Sequence, residues 1–143
     1  MMHATRAAAH EALACYVIDT GNEGFRYQHI VDGAAAETAD AETRPITVVF
    51  ALIGLYLFVE KNWSGAAIQK AHTRLAAWRK VWPAIALPAD RGAMGMVDVM
   101  NAPAGAERDR MIALWCESLW RAYGDSHEKI RALAHEGLGM DRT

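Results

Sequence analysis

Cysteine is scarce in this chain, and the scarcity excludes two frameworks at once. The two cysteines, Cys15 and Cys116, stand far apart and form no Cys-x-x-Cys pair. Neither a disulfide scaffold nor a thiolate zinc site therefore has a sequence signature. Each lies in an apolar helical setting, where a buried free thiol is expected, and a reducing cytoplasm is the expected compartment. Charge of one sign is missing as well. Fifteen Lys and Arg stand against 17 Asp and Glu, a net charge of −2, with no Lys/Arg-rich run. Arg74, Arg79 and Lys80 are interrupted by Leu75 and Trp78 and read as the wet edge of a helix, so no nucleic-acid partner is expected. The longest apolar run, residues 46–59, falls short of the roughly 20 residues needed to cross a bilayer, so no membrane partner is expected either. The opening residues, Met-Met-His-Ala-Thr-Arg, turn directly into an alanine-rich amphipathic segment, and no secretory leader is read there.

The common catalytic signatures are absent too. There is no Gly-x-Ser-x-Gly elbow and no His-Glu-x-x-His pair. Arg91-Gly92-Ala93-Met94-Gly95 lacks the lysine and the preceding strand of a phosphate loop.

What the chain does have is helical periodicity almost throughout. Its 143 residues, 52% of them hydrophobic, suffice for one domain with a real core. A first helix is expected over residues 4–19, with His10, Leu13, Ala14 and Val17 on one stripe. A second is expected over 24–39, with Tyr27, Ile30, Val31 and Ala34 on one face and His29, Asp32 and Phe25 on the other. Pro45 opens a third, apolar nearly all round and so surrounded by its neighbours. Ser64 caps a fourth, running to about Trp82 with the stripe Ile68, His72, Leu75, Trp78 and Trp82. A loop follows over 83–95, then a short turn at 96–100 and a fifth helix over 104–123. Gly124 interrupts. Asp125-Ser126-His127-Glu128 reads as a capping box for a sixth helix to about Glu136, with a frayed tail beyond. The fold class expected is all-α, a single-domain bundle of five or six helices.

Within that frame a few polar residues need an explanation. His10 and His72 fall on otherwise apolar helix faces, where an imidazole costs free energy unless it is hydrogen-bonded or metal-bound. His29 and Asp32 lie one turn apart on the second expected helix. Imidazoles and a carboxylate from different helices are how bundles build metal sites. His10, His29, Asp32 and His72 are thus the candidate ligands of a divalent metal such as Zn, Ni or Fe. Glu11, Tyr27, Gln28, Glu60 and Asp109 are candidates for the surrounding polar groups or a pocket.

Several of these stretches resemble a known family. Ala9-His10-Glu11-Ala12-Leu13-Ala14, His29-Ile30-Val31-Asp32-Gly33-Ala34 and the Trp115–Trp120 spacing are similar to segments of a family of small bacterial proteins grouped as a domain of unknown function. Many members carry a cysteine pair ahead of the His-Glu segment, and this chain does not. The resemblance implies attention to His10, His29 and Asp32. It implies no activity.

Two readings of different class stay open. In one, the chain binds a metal, and in an enzymatic form the metal would hold and activate a water. In the other, it is a non-catalytic binding or interaction module with structural histidines. Tyr16, Tyr27, Tyr56, Trp63, Trp78, Trp82, Met94, Met96 and Met100 would then offer a small-molecule pocket. Trp63, Trp78 and Trp82, if exposed together, would instead make a homodimer surface.

Overall fold

The computed structural model describes residues 8, 9, 11–13 and 28–140. The described residues are all-α: α1 (Gln28–Thr38), α2 (Pro45–Val59), α3 (Gly65–Trp78), α4 (Met96–Asn101), α5 (Ala106–Ala122), a 3₁₀ turn (Gly124–Ser126) and α6 (His127–Leu138). Residues 8, 9 and 11–13 are helical as well. The expected first helix is otherwise outside the described residues, together with His10, Cys15, Tyr16, Phe25 and Tyr27.

The apolar run behaves as its composition dictates. Pro45 occupies the first turn of α2, where its missing N–H costs nothing. The helix then buries Val48, Val49 and every residue from 51 to 57. A helix apolar on all sides must be enclosed, and α2 packs against α1, α3, α5 and α6. The loop between α1 and α2 is tied by Asp40 and Thr43, whose side chains accept from the backbone at Glu42 and Asp40. That short link makes α1 and α2 neighbours. Gly33 on α1 lets the indole of Trp115 on α5 close against the backbone, since a Cβ there would lie 2.8 Å from the ring.

Three boundaries depart from expectation. Ser64 does cap α3, its Oγ accepting from Ala67 N–H at 3.2 Å, but the helix ends at Trp78 and Arg79 is extended. Trp82 lies beyond it and packs edge-on to Trp78, 5.7 Å between ring centres. The Arg79 guanidinium sits over both rings, and this stacking holds the extended segment against the helix end. The expected capping box does not form: Ser126 holds the N-cap position of α6 without a side-chain cap bond, because a 3₁₀ turn leads in. Asp98 instead accepts from Gly95 N–H, 2.8 Å, ahead of α4. The tail of α6 is not frayed. Gly139 takes the left-handed conformation at φ 66°, Met140 N–H closes on His135 C=O at 2.9 Å, and Leu138 is buried. This is the glycine-terminated closure that satisfies the last carbonyls of a helix.

The 83–95 loop is anchored by one residue. Arg91 donates to the carbonyls of Ala36, Glu37 and Ala39 at the end of α1 and to the Tyr123 hydroxyl. Its Nε donates to Pro88 C=O. A cation there also opposes the negative end of the helix dipole. Arg91→Ala should lower stability by about 2–4 kcal/mol in urea unfolding. Arg91→Lys should recover little, because an ammonium cannot reproduce the guanidinium fork.

Candidate functional site

Asp32 is the unexpected member of the α1 interface. Val31, expected on the core face, is 52% exposed, whereas Asp32 is 4% exposed and turned toward α2. The small side chains on α1 let the two helices approach closely, and the sequence pattern of Ala and Gly does not reveal which of them face inward. Space for the carboxylate comes from Gly54 of α2: any Cβ there would overlap Asp32 Oδ2. Gln28, one turn earlier, donates to Asp32 Oδ1 at 3.1 Å, which leaves Oδ2 free to face α3.

His72 of α3 is what it faces. Nε2 of His72 lies 3.5 Å from Asp32 Oδ2, and neither atom has a hydrogen-bond partner. Burial drives the His72 pKa down to about 4, with the Phe50 backbone carbonyl opposing. Burial pushes Asp32 well above the usual carboxylate range, with the Gln28 bond opposing. The pair therefore rests as a neutral imidazole beside a carboxyl group that resists ionising alone.

His29 is one turn before Asp32 on α1. Its ring stacks on Phe58 of α2, 4.2 Å between centres and 4° from parallel. Burial lowers its pKa to about 4, and the Asp109 charge opposes that shift. Cys116 of α5 completes the surroundings. It is a fully buried thiol whose Sγ donates to His29 C=O at 3.7 Å. Burial and the Asp32 charge hold it protonated. Nothing in the spacing pointed to Cys116, which reaches this place only through the packing of α5 on α1.

The remaining candidates divide. Gln28 and Asp109 act on Asp32 and His29 as just described. Glu60 belongs to a different cluster: Trp120 Nε1 donates to it at 2.6 Å and Arg131 donates to both its oxygens. Glu11 is exposed. His10 and Tyr27 fall outside the described residues. Among the described residues no three His, Cys, Asp or Glu side chains come together closely enough to hold a metal ion.

Two other histidines are structural. His127 stacks on Trp120 and bonds to its carbonyl at 2.6 Å. His135 meets the Tyr56 hydroxyl at 2.6 Å. The three tryptophans around α3 form no common exposed patch, since Trp82 is buried, Trp63 half-buried and Trp78 37% exposed. Tyr56, Met96 and Met100 are core residues. An open cleft of about 570 Å³ runs along Glu37 and residues 89–95. Glu37 is not free to serve it: its Oε1 accepts from Met96 N–H and from Trp115 Nε1.

The site thus lies on a helical scaffold of a family with no assigned activity. Residues 25–124, well over half of the chain, match the family of unknown function DUF5946, and the chain belongs to that family. The matched span includes Asp32, Gly54, His72 and Cys116. No curated protein matches the chain, and no solved structure does. Among the described residues no helix is long and apolar enough to cross a membrane.

Proposed function

We propose that this protein binds a divalent metal ion of the zinc type at Asp32 and His72. The observation that carries the reading is the pair itself: a buried carboxyl oxygen and a buried imidazole nitrogen, both without hydrogen-bond partners, facing each other at 3.5 Å. That separation is too long for a hydrogen bond between them. It is close to the about 3.3 Å that separates two tetrahedral ligands each bonded at about 2.0–2.1 Å. A neutral imidazole at ordinary pH is the form that binds metal. A cation would also offset the cost of ionising Asp32 in the core.

Two ligands do not hold an ion firmly, and further donors must come from nearby. For a third ligand we propose His10, which the sequence alone makes a candidate.

The test is zinc titration against a competing chromophoric chelator, on protein purified without an affinity tag. One equivalent should bind to the parent. Asp32→Asn and His72→Ala should each weaken uptake by more than the roughly 10–100-fold that follows loss of a residue behind a ligand. His10→Ala should weaken it as well. A parent that takes up no zinc, or variants that bind as well as the parent, would refute the assignment.

A further inference from the structure

Between α3 and α4 the chain carries an extended segment with no strand beside it. Residues 81–88 run without a helical turn or a bend. Pro83 and Pro88 favour that course, because each drives the residue before it, Trp82 or Leu87, toward extended backbone. Exposure then alternates as it does along a strand: Pro83, Ile85 and Leu87 are half-buried, whereas Ala84 and Ala86 are exposed. Ile85 and Leu87 pack on the core and seat the segment on the bundle. Its backbone is unused. Among the described residues no backbone N–H from Lys80 to Leu87 reaches a backbone acceptor. Val81, at one end, is 78% exposed. An unpaired edge of this kind is a template for another strand.

We infer that this segment pairs antiparallel with the same segment of a second copy, about a two-fold axis at Ile85. Charge sets the register. With Ile85 opposite itself, Lys80 of each copy stands opposite Asp90 of the other, and both side chains are exposed. Arg79 and Arg91 also fall opposite each other but are drawn away. The first lies over Trp78 and Trp82, and the second is bonded to the carbonyls at the end of α1. The prolines choose the edge. On the edge of Ala84 and Ala86, those residues exchange both backbone bonds with Ala86 and Ala84 of the second copy, and Pro88 falls at the end. On the other edge Pro83 would break the pair next to the axis. A two-fold contact is self-complementary, so one surface serves both copies. Two short strands bury less than a permanent dimer interface, and the association is therefore weak and concentration-dependent. It is independent of the metal reading.

The experiment is sedimentation equilibrium of the full chain at low salt, over a wide range of concentration. The parent should pass from monomer to dimer. Ala86→Pro removes one pairing N–H from each copy and should weaken the dimer about tenfold, the worth of two hydrogen bonds. Because that N–H has no backbone acceptor within the chain, urea unfolding of the dilute variant should match the parent. Lys80→Glu and Asp90→Lys, each alone, put like charges opposite one another twice per dimer and should weaken association. Mixed in equal amounts, the two variants bring opposite charges together at both ends and should associate as the parent does. A parent that stays monomeric throughout would overturn the second copy as the occupant. So would an Ala86→Pro variant that dimerises like the parent, or a mixture that associates no better than either variant alone.

Discussion

Gly54→Ala should destabilise the protein by about 2–3 kcal/mol, although alanine is the better helix former by about 1 kcal/mol. The reason is local. The new Cβ would occupy the position of Asp32 Oδ2, and the carboxylate has no alternative place. Gln28 holds its other oxygen, and α1 packs on α2 on that side. Relief requires α1 to shift away from α2 and open the core that both helices build. The double variant Asp32→Ala/Gly54→Ala removes the collision and should recover most of the loss. Urea unfolding of the two single variants and the double should then give a coupling energy of about 2 kcal/mol. Asp32→Ala alone should be neutral or stabilising, because it deletes a buried carboxyl group with one unpartnered oxygen, and yet it should abolish metal uptake. Stability and function would then pull in opposite directions at one residue. If Gly54→Ala proved as stable as the parent or more so, Gly54 would not be the cradle of the carboxylate, and Asp32 would be free to turn elsewhere.

How far this site is legible in the sequence depends on the kind of information each part needs. The course of α2 is legible because an apolar run opened by Pro45 leaves one packing solution. The cap at Ser64 is legible because it is local chemistry. His72 is visible as an imidazole on an apolar face, and His29–Asp32 as a one-turn pair. The inward face of α1 is not visible. In Asp32-Gly33-Ala34-Ala35-Ala36 the small residues carry too little hydrophobic contrast to set a phase, so the spacing puts Val31 on one face with Ile30 and Ala34, whereas Val31 is exposed and Asp32 from the opposite face is buried. Nor can a sequence show that Gly54 is the complement of Asp32, that His72 of α3 faces Asp32, or that Cys116 arrives beside His29. Those relations exist only once α2, α3 and α5 are packed around α1. Glu37 shows the same limit: it reads as an ordinary helix-end carboxylate, but is buried, holding the Trp115 indole.

The same burial that prepares the imidazoles for metal should make the metal-free protein acid-sensitive. His29 and His72 each protonate near pH 6.5 in the unfolded chain and only near pH 4 in the folded one. Between those limits the unfolded state binds the extra protons, so stability rises with pH. The contribution is complete above about pH 6.5 and is lost as pH falls toward 4, on the order of 3 kcal/mol for each residue. Asp32 acts in the opposite sense. Its folded pKa is raised by burial, so the folded state holds a proton that the unfolded state releases, and stability declines as pH climbs above about 3.8. Across pH 4–6.5 the two histidines contribute up to about two protons to the slope, and Asp32 subtracts from it. Urea midpoints measured across that range should therefore steepen in Asp32→Asn. They should flatten by about one proton in His72→Gln. Curves that run parallel in parent and variants would mean that these side chains are not buried as neutral groups. Excess zinc should add a stabilisation that grows with its concentration, is present near pH 7 and shrinks toward pH 4.5 as protons compete for the same lone pairs. In Asp32→Asn that increment should largely disappear at every pH. The pairing of a steeper acid slope with a lost zinc response is expected of a metal ligand, and a merely structural carboxyl group would give only the first.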